Sequence, residues 1–178
     1  MKANQHFHFN PKNLSLIRVG ILSCSTSRAK KKNGPKEDIS SKVLQEILKS
    51  TTLKGKKVFK ISCYSLVPDK KEKISSVLKT WADQKKCDLI FTTGGTGFSQ
   101  SDCTPEATDS VIEKEAPGLS ELMRLKSKSP FAYCSRGICG IRKKCLILNL
   151  PGSPKGVEES VKTVLPILPH SIELVNKR

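Results

Sequence analysis

The residues best suited to chemistry in this chain stand together between Leu89 and Glu106. There an apolar run leads into three closely spaced glycines, Gly94, Gly95 and Gly97, and then into a polar loop with Asp102. A strand that feeds a glycine-rich loop and a helix start presents free backbone N–H groups to an anion. A P-loop is excluded because no Gly-Lys-Ser/Thr follows. The crowded loop favours a phosphate site, whereas a lone glycine cluster is typical of a simple tight turn.

Two carboxylates accompany this loop. Asp102 lies within it, and Asp69 ends the segment Val67–Asp69, which leaves an earlier strand. Carboxylates beside a phosphate site typically hold Mg²⁺, which keeps several waters and bridges to phosphate oxygens. Such a metal would neutralise charge on a transferring group and orient it. The sequence therefore predicts a magnesium site at these two aspartates, while a plain loop or helix-cap role fits Asp69 equally well.

Two further turns could bind anions. Ser153 and Pro154 form a cap and first-turn pair, which predicts a second helix start where Lys155 could reach a phosphate. A solvated lysine in a first turn is an equally common use of that residue. The segment Ser135-Arg136-Gly137 could offer a hydroxyl and a guanidinium to an anion. An ordinary surface turn fits the same three residues.

No protein nucleophile is predicted. Cys103 is a candidate by position, but the three histidines, at positions 6, 8 and 170, all lie near the termini. A cysteine without a histidine partner lacks the base that Cys–His catalysis uses. Covalent catalysis by a Cys–His pair is therefore not expected.

Strands and helices alternate along the chain, and this alternation must position the polar turns. β-Branched apolar runs predict strands at 17–24, 57–65, 88–92 and 144–150. Apolar residues at helical spacing predict helices at 39–50, around 74–81, at 105–115, from 119 to 125, and at 157–175 with an interruption at Pro166 and Pro169. A short strand and a turn are expected within 131–139. This pattern predicts an α/β domain whose mainly parallel sheet is covered on both sides.

In such folds, ligands bind beyond the carboxyl ends of the strands. The polar turns at 23–27, 94–102 and 151–155 each follow a strand directly, and the turn at 67–69 joins them. We therefore expect these turns to meet at one edge of the sheet and to form a single active site.

Length and composition bound the class of protein. A chain of 178 residues with 37% hydrophobic residues fits one domain, which we expect at 16–178 behind a flexible tail at 1–15. No apolar run is long enough for a membrane span, and the polar start lacks a secretory core, so we expect a cytoplasmic protein. The seven cysteines include no C-x-x-C pair, which is typical of reduced thiols rather than a zinc site.

The formal net charge of +16 is scattered over many short lysine and arginine runs. A specific nucleic-acid binder would concentrate that charge on one patch, so we expect no specific nucleic-acid partner. The excess positive charge would still attract anionic substrates.

Several longer motifs resemble one known family. The run T-T-G-G-T-G-F-x-x-x-D-x-T-P-E-A-T at 92–108, followed by E-x-E-A-P-G at 113–118, resembles the molybdopterin adenylyltransferases and is closest to the G domain of gephyrin. The runs S-R-G-I-C-G-I-R at 135–142, L-I-L-N-L-P-G-S-x-K-G at 146–156 and L-P-I-L-P-H at 165–170 agree. The resemblance covers about 17–175 in one register, and its long central motif is specific.

This resemblance implies a three-layer α/β/α sandwich with a mainly parallel sheet, assembled as a homotrimer. It implies transfer of AMP from ATP, with Mg²⁺, to the terminal phosphate of molybdopterin and release of pyrophosphate. The product would pass to a molybdenum-insertion (E-type) domain or protein. Asp69 and Asp102 match the family's two important aspartates, which are catalytic and bind the metal.

The resemblance also implies which residues bind the two substrates. On the molybdopterin side these are Thr93, Gly94, Gly95, Thr96, Gly97, Thr104, Glu106, Ser135, Pro151, Gly152 and Ser153. On the nucleotide side they are Ser25, Ser27 and Lys155.

The loop after the first strand departs from the family pattern. Relatives carry S-D-S where this chain has Ser25-Thr26-Ser27, and D-R-S-G where it has Pro35-Lys36-Glu37-Asp38. Glu37 or Asp38 could replace the missing carboxylates from a shifted position. The departure motivates an alternative function, a catalytically weakened molybdopterin-binding or trimerising scaffold module of the gephyrin type.

Overall fold

A computed structural model describes residues 16–177 of the chain, so the predicted tail at 1–15 lies outside the described residues. The strands are, in chain order, β1 (Ile17–Cys24), β2 (Thr52–Leu53), β3 (Lys56–Lys57), β4 (Phe59–Val67), β5 (Leu89–Thr93), β6 (Lys114–Glu115), β7 (Cys139–Arg142) and β8 (Cys145–Leu150). Six of them form one sheet in the order β4-β1-β5-β8-β7-β6, and β2 and β3 form a separate hairpin. The first four strands of the sheet are parallel, and β7 and β6 extend it in antiparallel fashion.

Helices cover both faces of this sheet. They are α1 (Thr26–Ala29), α2 (Ile39–Ser50), α3 (Lys71–Asp83), α4 (Thr104–Asp109), α5 (Pro117–Lys126), α6 (Pro154–Val164) and α7 (Leu168–Asn176). Residues of α2, α5, α6 and α7 pack into the core on one face, while α3 and α4 supply the core on the other. This arrangement confirms the predicted three-layer sandwich with a mainly parallel sheet. Within 16–177, none of the helices combines the length and apolar character that crossing a membrane requires.

The register of the parallel strands decides where the site lies. Ser23 of β1 pairs with Thr93 of β5, which in turn pairs with Leu150 of β8, and Cys24 pairs with Val67 of β4. The four strands thus end level with one another. The turns that follow them must therefore emerge side by side at the carboxyl edge of the sheet.

The edge strands and short elements differ from the prediction. The helix predicted at 105–115 was wrong beyond Asp109, because the chain leaves α4 there and pairs as β6 with β7. Val111 and Ile112, which suggested the longer helix, are β-branched and pack against the same core from the turn that leads to β6. The strand expected within 131–139 begins only at Cys139, after a 3-10 helix at Pro130–Cys134. The interruption predicted in the last helix is confirmed as the break between α6 and α7.

The cysteines form no disulfide among the described residues, where all seven are free. Burial raises the pKa of the thiols of Cys24, Cys139 and Cys145 to about 12. These side chains serve as small apolar core residues, as predicted.

Candidate active site

The turns predicted to form one site do meet at the carboxyl edge of the sheet. The N–H of Ser25 donates to the carbonyl of Val67 at 2.9 Å, and the N–H of Gly94 donates to the carbonyl of Leu150 at 3.3 Å. A Cβ built on Gly152 would lie 3.3 Å from the Cα of Gly94. These contacts join the turn after β1 to that after β4, and the turn after β5 to that after β8.

The glycine-rich turn requires glycine at two positions. Gly94 and Gly95 have φ angles of +91° and +63°. A Cβ on Gly94 would lie 2.5 Å from the carbonyl oxygen of Cys24, and one on Gly95 would lie 2.5 Å from Oγ1 of Thr104. Both the backbone conformation and the space therefore exclude a side chain.

Two buried threonines lie beneath this turn. The hydroxyl of Thr104 donates to the carbonyl of Gly94 at 2.9 Å, and its N–H donates to the carbonyl of Gly95 at 3.0 Å. Thr104 is the first residue of α4 and not its cap, which is Cys103. Thr93 is also fully buried, and its hydroxyl lies 3.0 Å from that of Ser23. The structure thus places these two predicted substrate-binding threonines beneath the site surface.

The turn leaves two successive backbone donors free. The N–H groups of Gly95 and Thr96 have no acceptor among the described residues. The N–H of Gly97, in contrast, donates to Oδ2 of Asp102 at 2.7 Å. The phosphate cradle expected from the whole Gly94–Gly97 run therefore narrows to the donors of Gly95 and Thr96, which can bind an anion together.

Asp69 lies directly beside this cradle. A Cβ built on Gly95 would be 3.1 Å from its Oδ1. Its Oδ2 accepts from the N–H of Thr26 at 2.7 Å and from the Thr26 hydroxyl at 2.9 Å, and the same hydroxyl accepts from the N–H of Asp69 at 2.9 Å. The threonine that stands where relatives carry aspartate therefore fixes the carboxylate of Asp69.

The chemistry of both aspartates suits a magnesium ion. Each has one carboxylate oxygen bonded to the protein and a second that makes no hydrogen bond to a described residue. No group of three or more metal-binding side chains occurs within 16–177. One or two carboxylates, completed by water and substrate phosphate, are the usual protein ligands of Mg²⁺. The residues present therefore fit this ion.

Replacing Thr26 tests the link to Asp69. We expect Thr26→Val to lower the adenylyl transfer that the family resemblance implies about 10-fold, because a hydrogen bond to a charged group contributes about 1.5–3 kcal/mol and positions that group. Thr26→Ser retains the hydroxyl and should keep turnover within about twofold of the wild type. The steady-state rates of both purified variants are compared with the rate of the wild type. Equal rates for the valine and serine variants would contradict this role of the hydroxyl.

Asp38 and Glu37 do not replace the carboxylates that the family carries in this loop. Glu37 is exposed and pairs with Lys31 at 2.8 Å. Asp38 is fully buried and caps α2, accepting from the N–H of Ser41 at 3.3 Å and from the hydroxyl of Tyr64 at 3.0 Å. Asp38, which the sequence offered as a carboxylate at a shifted position, therefore has a structural role.

The buried carboxylate of Asp38 is held ionised. Burial acts to raise its pKa, but hydrogen bonds from Ser23, Ser41 and Tyr64 outweigh burial and leave the pKa below its usual value. Burial and the neighbouring carboxylate in turn raise the pKa of Tyr64 to about 12. Asp38 therefore connects β1, β4 and α2 through hydrogen bonds to Ser23, Tyr64 and Ser41.

The lowered pKa of Asp38 determines how its contribution to the free energy of unfolding changes with pH. Its contribution to the free energy of unfolding is complete above the unfolded pKa of about 4 and is lost as the pH falls towards the folded pKa. We expect Asp38→Asn to lower that free energy by about 1–3 kcal/mol at pH 7 and the difference from wild type to narrow below about pH 4. Urea unfolding at several pH values measures this difference in the free energy of unfolding. The exposed Asp109→Asn variant is the control, and a difference for Asp38→Asn that widened at low pH would contradict the prediction.

The guanidinium of Arg136 makes three contacts within the protein. Its Nε donates to the carbonyl of Gly97 at 2.8 Å, one terminal nitrogen donates to the carbonyl of Asp102 at 2.9 Å, and the other pairs with Glu106. The use of this guanidinium as an anion ligand stays a prediction, and the structure adds its bonds to the loop that carries Asp102. Ser135 lines a cleft of about 320 Å³ beside it, and its hydroxyl accepts from the N–H of Gly137 at 3.3 Å.

The second predicted helix start has the expected form. Ser153 caps α6, with its hydroxyl accepting from the N–H of Gly156 at 3.1 Å, and Pro154 is the first helical residue. The hydroxyl of Ser40 donates to the carbonyl of Gly152 at 2.7 Å, which ties this turn to α2. Lys155 is exposed and forms no ion pair with any residue in 16–177. Its amine thus stays available to a phosphate.

The thiol of Cys103 is unsuited to nucleophilic attack. Burial raises its pKa, and the nearby carboxylates of Asp69 and Glu106 raise it further. The thiolate, which is the reactive form, is therefore disfavoured. This environment agrees with the prediction that no protein nucleophile takes part.

The sequence did not lead us to predict two polar residues near the site, Arg28 and Asn149. The Nε of Arg28, on α1, is buried without an acceptor among the described residues. Asn149 is buried near the end of β8, where its amide nitrogen donates to the hydroxyls of Thr92 and Thr108 at 3.0 and 2.8 Å. A polar residue inside the apolar run L-I-L-N-L was the available signal for Asn149. Nothing in the sequence marked Arg28 apart from its place after the first strand.

Comparison with known proteins identifies the family. Residues 20–170 match the family described as "Probable molybdopterin binding domain". The chain belongs to this family. It is 42% identical over 164 residues to the molybdopterin adenylyltransferase of Helicobacter pylori strain 26695, covering 91% of this chain and 89% of that protein. The resemblance inferred from the sequence motifs is thereby confirmed.

Other similarities agree. The crystal structure of the molybdopterin biosynthesis enzyme MoaB from Thermus thermophilus aligns with a TM-score of 0.81 and 45% identity, covering 92% of this chain and 98% of that one. Gephyrin from Dictyostelium discoideum is 42% identical over 121 residues, which is 66% of this chain and 17% of gephyrin. The similarity to the Helicobacter pylori adenylyltransferase therefore covers more of this chain than the similarity to gephyrin does.

Proposed function

We propose that the protein is a molybdopterin adenylyltransferase, which transfers AMP from ATP to the terminal phosphate of molybdopterin and releases pyrophosphate. The observation that carries this proposal is the site itself. Two free backbone donors, at Gly95 and Thr96, lie beside the carboxylates of Asp69 and Asp102 at the meeting point of four strand-end turns. The adenylyltransferase relative, similar along nearly the whole chain, supports the same activity.

The reaction needs little covalent help from the protein. An oxygen of the terminal phosphate of molybdopterin attacks the α-phosphorus of ATP, and the bond from that phosphorus to the bridging oxygen breaks. Pyrophosphate leaves with the electron pair. The attacking phosphate is already anionic, so no base has to remove a proton. Catalysis is then positioning and neutralisation of charge.

The chain's residues divide this work between the two substrates. The N–H groups of Gly95 and Thr96 bind oxygens of the molybdopterin phosphate, and Asp69 and Asp102 would hold Mg²⁺. When bound, Mg²⁺ neutralises charge on the phosphates of ATP. Lys155 binds the nucleotide phosphates as a point charge, and the hydroxyls of Ser25 and Ser27, which lie 3.2 Å apart, also bind the nucleotide.

Pyrophosphate release tests the proposed function. Purified protein is incubated with molybdopterin, ATP and Mg²⁺, and pyrophosphate is followed over time. We expect release that depends on each of the three additions. Reactions without protein, without molybdopterin or with EDTA are the controls. Release no greater than in the reaction without protein would overturn the proposal.

Calorimetry distinguishes the proposed enzyme from the alternative function, a catalytically weakened molybdopterin-binding or trimerising scaffold module. It rests on the altered loop after β1, in which Thr26 replaces aspartate. A weakened scaffold module would bind molybdopterin without binding ATP. An active enzyme binds both, so titration of each ligand into the same protein sample distinguishes the two functions.

We also propose that the protein is a cytoplasmic homotrimer that passes its product to a molybdenum-insertion domain. Large apolar side chains at Phe98, Leu125, Phe131 and Tyr133 are 61–80% exposed, which supports contact with other protein surfaces. Light scattering on the eluted protein measures the assembly, and a monomeric mass at micromolar concentration would contradict the trimer.

A further inference from the structure

The loop that carries Asp102 is held at both ends by one side chain. Arg136 donates from Nε to the carbonyl of Gly97 at 2.8 Å and from a terminal nitrogen to the carbonyl of Asp102 at 2.9 Å. Its other terminal nitrogen pairs with Glu106 in the first turn of α4, and its own N–H donates to the carbonyl of Thr96 at 2.8 Å. One residue from the segment before β7 thus contacts three residues of the site loop and one residue of α4.

These contacts complement the bond that Asp102 makes within the loop. The carboxylate of Asp102 accepts from the N–H of Gly97 at 2.7 Å, while Arg136 binds the carbonyls of the same two residues. Both polar groups of the Gly97 backbone are therefore occupied, one by each side chain. The free oxygen of Asp102 and the free N–H of Thr96 are consequently fixed relative to each other.

A planar guanidinium is suited to this task. It offers five N–H donors in a rigid fork, whereas the lysine ammonium is a single point charge on a flexible stem. The pairing with Glu106 also fixes the guanidinium: it raises the pKa of Arg136 and lowers the pKa of Glu106, so that both groups stay charged. A lysine could keep the ion pair but could not reach both carbonyls at once.

We propose that Arg136 is a positioning residue for adenylyl transfer, which holds Asp102 and the phosphate cradle in the reactive geometry through Gly97, Asp102 and Glu106. In this role it acts through these three groups and not by binding the substrate. The proposal rests on the proposed function for its kinetic consequence, and on the loop contacts alone for its structural consequence. Misplacing a catalytic group by about 1 Å can cost about 100-fold in rate.

The test compares Arg136→Lys with a matched arginine on the opposite edge of the sheet. Arg142 also forms a fork, with Asp83 at 2.7 and 2.8 Å and with the carbonyl of Val111 at 2.9 Å. We expect Arg136→Lys to lower kcat about 100-fold with KM for ATP within about threefold. Arg142→Lys should leave kcat within about twofold. Thermal unfolding of both variants shows whether each remains folded.

Hydrogen exchange provides a readout that does not depend on activity. In Arg136→Lys, we expect the amide of Gly97 and its neighbours at 96–102 to exchange about 10-fold faster, with unchanged exchange in the central strands. Added guanidinium ion should restore part of kcat to an Arg136→Ala variant. Unchanged exchange at 96–102, or equal losses of kcat in the two lysine variants, would overturn the proposal. An inactive wild type with faster loop exchange in Arg136→Lys would instead overturn the proposed function and leave the positioning of the loop intact.

Discussion

Asp102→Asn should lower the rate of adenylyl transfer by about 100- to 1,000-fold and leave molybdopterin affinity within about threefold. Asparagine has the same shape, and its carbonyl oxygen can still accept the hydrogen bond that Asp102 receives from Gly97 at 2.7 Å. The loop is therefore retained while the negative charge is lost. In the proposed mechanism that charge would hold Mg²⁺ and position the transferring group, so we expect the loss in kcat rather than in binding.

A second aspartate provides the control for this change. Asp83 is exposed at the end of α3, on the opposite edge of the sheet, where it pairs with Arg142 at 2.7 Å. Asp83→Asn should keep the wild-type rate. Initial rates and calorimetric titration of molybdopterin measure both variants. Turnover of Asp102→Asn within about fivefold of wild type, well short of the effect expected from lost electrostatic stabilisation, would contradict the charge role.

Gly94→Ala should lower the free energy of unfolding by about 3 kcal/mol and abolish measurable turnover. The φ angle of +91° is unfavourable for alanine, and its Cβ would lie 2.5 Å from the carbonyl oxygen of Cys24. That oxygen belongs to the backbone at the end of β1, so it cannot rotate away. Relief requires the turn to separate from β1, which would open the phosphate cradle.

Gly118→Ala is the matched control for the stability effect. Gly118 lies in the first turn of α5, and a Cβ there would meet nothing within 4 Å. Alanine should be neutral or stabilise the protein by up to about 1 kcal/mol. Urea unfolding of the two variants measures the contrast. Similar stabilities for Gly94→Ala and Gly118→Ala would show that the turn tolerates a side chain.

The central sheet and the meeting of its turns could be predicted from the sequence because both depend on local patterns. β1, β5 and β8 are almost continuously buried, and their nearly continuous apolar runs are typical of strands covered on both faces. Four short polar turns directly after strands then have to share one edge. The mainly parallel order follows from the intervening helices.

What the sequence could not show depends on contacts between distant segments. The length of α4 was overestimated because Val111 and Ile112 suit a helix or a strand, and only pairing with β7 decides between them. The loss of the family's aspartate at Thr26 suggested an impaired loop, yet this threonine bonds Asp69 from 43 positions away. The engagement of Arg136 with Gly97, 39 positions earlier, is likewise invisible in the linear pattern.

The most direct test of the central claim is to follow the label of ATP into the organic product. Protein, molybdopterin and Mg²⁺ are incubated with ATP labelled on either the α- or the γ-phosphorus, and the molybdopterin product is isolated by chromatography. Attack on the α-phosphorus predicts that the α-label alone enters the product, in a one-to-one ratio with released pyrophosphate. Label from the γ-position in the product, or no labelled product with either ATP, would contradict adenylyl transfer at this site.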